Sequence, residues 1–317
     1  MDILSYIVKI IFFGLGSIGQ KHAEILLKNY KHELFAFRSG TENTPNKLGI
    51  AELHLWDEVK KLKPDIAFIT NPTSLHIETA IKCAQLNCKL FVEKPIGQNL
   101  SGLDELLKLL KEKNLVTYVA YNLRFNPVIK KLKDYLSSKK PLHMRVVCTS
   151  FLPMWRPNKN YLKSYSANTQ MGGGVILDLS HELDYTSYLL DNIQKIIGNF
   201  ARMGQVTTDA EDYADMLVST PMCPVNIHIN FLSHFRQRFI QIDFEDLTVI
   251  GDIVNAEIKE YQHEELKNII KLKYKKGQEY EEQIKYFFDN IENPRMMNNL
   301  TNAVDLYKKI IYFKNEN

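Results

Sequence analysis

Cysteine is scarce in this sequence. Its 317 residues include four, Cys83, Cys88, Cys148 and Cys223, and none of their spacings is one that metal ligands use. No metal site is expected, and a chain of this size needs no disulfide staple, so reduced thiols and a cytoplasmic location fit. Long apolar runs are missing too. The stretch 7–13 carries Lys9 and stops at a glycine, too short for a membrane span or a signal segment, so no membrane partner is expected. Charge is nearly balanced: 40 Lys and Arg against 37 Asp and Glu leave a formal +3, with no long basic run. Nothing in that balance argues for nucleic acid as a partner. Repeats and low-complexity segments are absent. A composition 45% hydrophobic and 24% charged is that of an ordinary globular chain long enough for two domains.

The first 120 residues alternate short apolar strands with amphipathic helices. Strands are expected at 7–13, 33–37, 66–70, 89–92 and 116–120. Ser74 could cap a helix with Ile77, Ala80, Ile81 and Ala84 on its apolar side. Ser101 could cap another with Leu103, Leu106, Leu107 and Leu110, with Asp104 three residues on. Such alternation implies a Rossmann-type, doubly wound parallel sheet that takes ligands at the carboxyl ends of its strands. Asn126 followed by Pro127 starts a helix. Beyond residue 140 the strand-like runs 142–151, 196–203, 214–220, 225–232 and 239–244 come with no helices between the last four, which implies an α+β domain with a large, mostly antiparallel open sheet. Helical pattern returns at 175–190 and in the last 40 residues. The expected division is 1–122 and 123–317, with a C-terminal helix able to pack back on the first domain.

Gly14-Leu15-Gly16-Ser17-Ile18-Gly19 is a G-x-G-x-x-G sequence that follows an apolar strand and opens a helical segment, the context a dinucleotide site requires. Gly14 permits the tight turn, Gly16 the approach of a pyrophosphate, and Gly19 the packing of helix on strand. The helix start at Ser17 and Ile18 offers N–H donors to phosphate. Where an NAD-preferring domain usually carries an acid, at the end of the next strand, this chain has Arg38 and Ser39. A cation and a hydroxyl suit a 2′-phosphate, so NAD(P) is the expected cofactor, with NADP favoured. The alternative is that Arg38 is solvated and an acid such as Glu42 reads the ribose.

Two further features carry chemistry. Glu93-Lys94-Pro95 follows the fourth strand, at the edge where a cofactor would lie. Gly172-Gly173-Gly174 opens a strongly apolar helix bearing Asp178 and His181, three apart and so expected on one face. Three glycines there would let a ligand approach the backbone. A solvated helix face is the plainer alternative for that Asp and His.

These motifs, with His22, Asn71-Pro72…His76, Arg124-Phe125-Asn126-Pro127 and Trp155-Arg156-Pro157, occur in the order seen in the glucose–fructose oxidoreductase / inositol dehydrogenase / MocA family, which the chain resembles over most of its length. The resemblance implies an active-site trio of Lys94, Asp178 and His181. It also implies an open sheet that mediates a homodimer or homotetramer, and a sugar-type substrate. Many members separate the Asp and His by four residues; this chain separates them by three. A His can exchange the proton that leaves or joins a carbinol oxygen, and a Lys can hold that oxygen as charge develops. Asp178 would orient substrate hydroxyls or tune His181. Glu93, with Asn71, Pro72 and His76, is grouped with the cofactor, Glu93 positioning Lys94 or the nicotinamide ribose. Tyr121, Arg124, Trp155, Arg156, Lys159, Tyr161 and Lys163 would collect aromatic faces and cations at one mouth, suiting a sugar with a negative group, such as a nucleotide sugar for surface glycan synthesis. The bland alternative packs Trp155 in the core and solvates the lysines. Other expectations stay open: an imine or pyrrole reductase, or a non-catalytic NADP-binding sensor.

Overall fold

The computed structural model describes residues 7–38, 46–156, 158, 160–204, 206 and 208–316. They divide into two compact units: one built from the chain up to Ala120 with Tyr280–Val304, the other from Tyr121–Glu279 with the chain from Asp305 onward.

The first unit begins with β1 (Lys9–Phe13), α1 (Ser17–Asn29), β2 (Glu33–Phe37), β3 (Ala51–Leu53) and α2 (Trp56–Leu62). It continues with β4 (Ile66–Ile69), α3 (His76–Gln85), β5 (Lys89–Val92), α4 (Leu103–Lys113) and β6 (Thr117–Val119). All pairings are parallel and the strand order is β3-β2-β1-β4-β5-β6. The order reverses between β1 and β4, which is where such a sheet opens a crevice at its carboxyl edge. Register sets that edge: Phe13 lies level with Phe37 and Ile69, and Ile69 with Val92. The chain therefore delivers Gly14, Arg38, Thr70 and Glu93 side by side along one rim. The central strands are apolar without alternation because helices cover both faces. Ile10, Ile11, Phe12, Ile66, Ala67, Phe68, Leu90 and Phe91 are fully buried. Phe68 stacks on Phe91 with centroids 4.4 Å apart, and each such ring contributes roughly 1.5–3 kcal/mol by leaving water.

Two expected helix caps differ. Ser74 sits inside a single turn, Thr73–Leu75, and α3 starts directly after it at His76, with Leu75 in the cap position. Ser101 gives way to Gly102, whose φ of +76° turns the chain into α4; the hydroxyl is not needed where the backbone itself makes the turn.

The second unit holds α5 (Pro127–Ser138), β7 (His143–Phe151), α6 (Val175–Asp178), α7 (His181–Leu189), β8 (Lys195–Ala201), β9 (Tyr213–Ser219) and β10 (Val225–Asn230). β11 (Leu232–Asp243), β12 (Thr248–Asp252), β13 (Glu257–Gln262) and β14 (Glu265–Lys271) complete it. Its eight-stranded sheet runs β14-β13-β12-β11-β7-β10-β9-β8, antiparallel except where β10 meets β7. The Asn126 side chain accepts from the Val128 amide and caps α5 as expected. Val128 and Leu132 of α5 lie so close over Gly251 that a Cβ there would meet them at 2.7 and 2.9 Å. Along β9 the residues Ala214, Met216 and Val218 are buried, while Asp215, Leu217 and Ser219 are exposed. The helices thus cover one face of the sheet.

The run expected as one helix over 175–190 is two pieces. Leu179, at φ −95° and ψ 28°, ends α6 after one turn, and α7 begins at His181. Strands β3, β12, β13 and β14 were not expected from the sequence.

Two helices close the chain, α8 (Gln278–Asp289) and α9 (Leu300–Glu316). Phe287 of α8 stands edge-on to Phe91 at 5.4 Å in the first unit. The segment before α9 extends that unit's sheet edge: Val119 donates to the Asn298 carbonyl at 2.9 Å, and the Leu300 amide to Thr117 at 2.9 Å.

Candidate active site

At the switch point, Gly14 leaves β1 with φ +99°, and a Cβ there would meet the Asn71 backbone at 2.8 Å. Gly19 lies against the Gly14 carbonyl, 2.2 Å from an added Cβ. Thr70 ties the turn by donating to the Gly14 carbonyl at 2.6 Å; a Thr ending a strand offers no distinctive sequence signal. Gly16 differs from both. It caps α1, and an added Cβ would meet nothing within 4 Å. Gly14 and Gly19 thus serve the chain's own packing, and Gly16 keeps open space beside the amides of Ser17 and Ile18. The first turn of α1 carries no acid, so its positive end is available to an anion. Asn71 donates to Thr79 at 2.9 Å, while its buried Oδ1 has no partner among the described residues. An open glycine at a helix start and an orphaned amide oxygen on the same rim are what a bound dinucleotide would fill.

Lys94 follows β5 on that rim, held by its neighbours. The Glu93 Oε1 meets Nε2 of the buried His22 at 2.6 Å, and Glu93 Oε2 accepts the Lys94 amide at 3.2 Å. Glu93 therefore serves Lys94 through the backbone. His76, expected to touch the cofactor, has both ring nitrogens on backbone carbonyls, Pro95 at 2.8 Å and Asn71 at 2.9 Å. It joins the loops after β4 and β5. Burial holds its pKa below the ordinary histidine value, against the two carbonyls. Pro72 opens the turn Thr73–Leu75 beside Asn71.

Arg38 follows β2 where a 2′-phosphate reader would stand, but its guanidinium meets Glu52 of β3 at 2.9 and 3.2 Å. That weakens the sequence argument for NADP. Ser39 and Glu42 lie outside the described residues.

In the second unit, Asp178 is 4% exposed and both its oxygens are held: Oδ1 by the Tyr165 hydroxyl and Oδ2 by the Ser166 hydroxyl, each at 2.6 Å. Burial, then Asp178, pushes the Tyr165 phenol well above its ordinary pKa, so it stays a donor; the Arg156 charge acts in the opposite sense. Tyr165 and Ser166 were missed as site residues, since polar loop residues carry no mark of what they will hold. His181 begins α7, its ring edge-to-face with Tyr121 at 5.5 Å. Because the helix breaks at Leu179, the shared-face argument for Asp178 and His181 does not hold. The glycines also act otherwise than expected. A Cβ on Gly173 would sit 2.1 Å from the Tyr165 carbonyl, and one on Gly174 2.4 Å from the Glu211 carboxylate, so they admit the chain's own groups.

Arg124, expected to bind substrate, clamps Asp184 at 2.9 and 2.7 Å and lies over the Tyr188 ring. Burial raises the Asp184 pKa and Arg124 offsets part of that. An Arg clamped on a buried carboxyl is a framework pair, with its fork already taken by Asp184. Trp155 donates to Ser150 at 2.8 Å, packs edge-on to Phe231, and remains 39% exposed. Tyr161 opens a short turn, Tyr161–Lys163, capped by Asn160. Pro157 and Lys159 lie outside the described residues. Among the described residues no three His, Cys, Asp or Glu are grouped to hold a metal, and no helix is long and apolar enough to cross a membrane.

Two family descriptions match: an oxidoreductase family with an NAD-binding Rossmann fold over residues 8–121, and the GFO/IDH/MocA C-terminal domain over residues 130–252. The chain belongs to the Gfo/Idh/MocA family. Myo-inositol 2-dehydrogenase of Thermotoga maritima is 26% identical over 209 residues, 62% of this chain and 58% of that protein. The chain thus matches somewhat over half of that relative's length. Two solved structures share the fold: UDP-N-acetylglucosamine 3-dehydrogenase from Acidithiobacillus ferrooxidans, at TM-score 0.76 and 18% identity over 97% of this chain and 99% of that one, and levoglucosan dehydrogenase in complex with NADH, at 0.83 and 15% over 98% of each.

Proposed function

We propose that this chain is an NAD(P)-dependent dehydrogenase of a CH–OH group on a sugar or polyol. The observation that carries the reading is the rim of the first unit, where the open Gly16 position, the orphaned Asn71 Oδ1 and a rigidly backed Lys94 follow neighbouring strands. The amides at the start of α1, with Gly16, Ser17 and Ile18, would hold the pyrophosphate. When bound, the nicotinamide supplies the two-electron acceptor or donor. Lys94 holds the carbinol oxygen and stabilises charge that develops on it. His181 exchanges the hydroxyl proton. Asp178, fixed by Tyr165 and Ser166, orients a neighbouring substrate hydroxyl or tunes His181.

The named dehydrogenases similar to this chain support a sugar or polyol. With Arg124 clamped on Asp184, the case for a negatively charged sugar rests on Arg156, whose charge reaches Tyr165. The test is turnover with NAD⁺ and NADP⁺ against myo-inositol, neutral sugars and UDP-N-acetylglucosamine, followed by reduced-nicotinamide absorbance. Turnover of a polyol or sugar, abolished in Lys94→Ala with dinucleotide affinity within a few-fold, is the expected result. Tight dinucleotide binding with no turnover of any alcohol would leave a sensor, or a reductase of C=N bonds, in its place. An effect of Arg156→Ala on UDP-N-acetylglucosamine alone would establish the charged-sugar form.

A further inference from the structure

The end of β2 carries a cation where a dinucleotide's adenosine ribose is read, and the next strand carries its counter-ion. Arg38 Nη1 lies 2.9 Å from Glu52 Oε1 and 3.2 Å from Oε2. Glu52 is fixed in turn: the Asn46 amide donates to Oε1 at 3.0 Å and the Asn46 side chain at 2.7 Å. Asn46, then Arg38, holds the Glu52 carboxyl below its ordinary pKa against burial. Arg38 is fixed at its backbone too, its amide donating to the Leu53 carbonyl at 3.0 Å and its carbonyl meeting His54 Nδ1 at 3.1 Å. The guanidinium, just past β2, and the carboxylate of β3 therefore form a charge pair, with side chains 29% and 15% exposed.

We infer that Glu52 is a specificity-determining residue: by neutralising Arg38 it suppresses recognition of a 2′-phosphate, so that the native chain binds NAD⁺ at least as tightly as NADP⁺. This rests on the dinucleotide-binding reading above. A 2′-phosphate is a dianion or nearly so at neutral pH. Brought to Arg38, it finds Nη1 already taken by a carboxylate that neutralises the guanidinium, and it meets that carboxylate as a like charge nearby. A 2′-hydroxyl meets neither penalty. The sequence position that favours NADP is thus silenced by a strand three residues long that sequence pattern does not reveal.

The test is calorimetric titration of NAD⁺ and NADP⁺ into the whole protein and its variants. Glu52→Gln keeps the shape and a carbonyl for Asn46 but removes the charge. NADP⁺ should then bind about tenfold tighter, a shift of one factor of ten in Kd, while NAD⁺, which also reports that the variant folds, stays within twofold of the native value. The NADP⁺ gain should shrink as salt rises, and should vanish in Arg38→Ala/Glu52→Gln. An unchanged NADP⁺/NAD⁺ ratio in Glu52→Gln, or a gain that survives loss of Arg38, would each overturn the assignment while leaving the dinucleotide site standing. A native chain that binds neither dinucleotide would overturn both.

Discussion

Glu93 and His22 share a 2.6 Å hydrogen bond in the interior of the first unit, and the other oxygen of Glu93 accepts the Lys94 amide. His22 is fully buried on α1, its ring 5.1 Å from Phe91 and 5.9 Å from Tyr280. A carboxyl in such a place needs a partner, since an unmet buried polar group costs about 1–3 kcal/mol. His22→Ala should therefore destabilise the protein by about that amount, measured by urea unfolding. Glu93→Gln in the same background should add little, because the interaction is already gone. Fully additive losses would mean that the two residues act separately.

The glycine turn separates folding from binding. Gly19→Ala forces a methyl to within 2.2 Å of the Gly14 carbonyl and should cost more than about 2 kcal/mol, as overpacking against backbone does. Gly16→Ala meets no protein atom and should leave the unfolding midpoint nearly unchanged, while weakening NAD⁺ and NADP⁺ binding about tenfold or more by occupying the open position. A Gly16→Ala protein that binds dinucleotide normally would remove the pyrophosphate from this turn.

The rim was legible because strand, glycine turn and helix are local patterns: Gly14, Gly16, Gly19 and Lys94 come out of the sequence in the right order. What was hidden depends on register and on side chains far apart in the chain. Arg38 reads as a phosphate binder until β3 brings Glu52 alongside, and Arg124 reads as an anion clamp until Asp184, 60 residues on, takes its fork. The β13–β14 hairpin turns through His263 and Glu264, both with positive φ (51° and 66°). Such turns are ordinarily signalled by Asn-Gly or Asp-Gly, and neither occurs there. The helix expected over 175–190 is two pieces; Val175, Ile176, Leu177 and Leu179 around Asp178 are apolar without a periodic polar face, so periodicity could not report the break before His181.

Removing one half of the Arg124–Asp184 pair should act on stability before function. Arg124→Ala leaves Asp184, 1% exposed, without its guanidinium and should cost about 3–5 kcal/mol, the usual result of stripping a partner from a buried charge. Arg124→Ala/Asp184→Asn should regain part of that loss. If Arg124→Ala instead unfolds at the native urea concentration and raises only the KM for a charged sugar, Arg124 belongs to the substrate site after all.

His76 gives the fold a definite pH dependence. Its ring is buried and faces the carbonyls of Pro95 and Asn71, with Glu93 and Lys94 acting on it in opposite senses; burial outweighs the carbonyls and sets its pKa below the ordinary value. The unfolded chain takes up a proton near pH 6.5, and the folded ring does so only at lower pH. Between those two values the unfolded state binds more protons, so stability must rise with pH through that window and level off above it. His32, lowered by burial, adds in the same direction. Unfolding free energy should thus increase from about pH 5.5 to 7, by at most roughly 1.4 kcal/mol per pH unit for each such group. His76→Gln should flatten part of that rise. A neutral ring can donate to one of its two carbonyls, whereas a charged ring would donate to both. Stability that falls over the same interval in the native protein, and stops falling in His76→Gln, would show that the two carbonyls hold the ring charged.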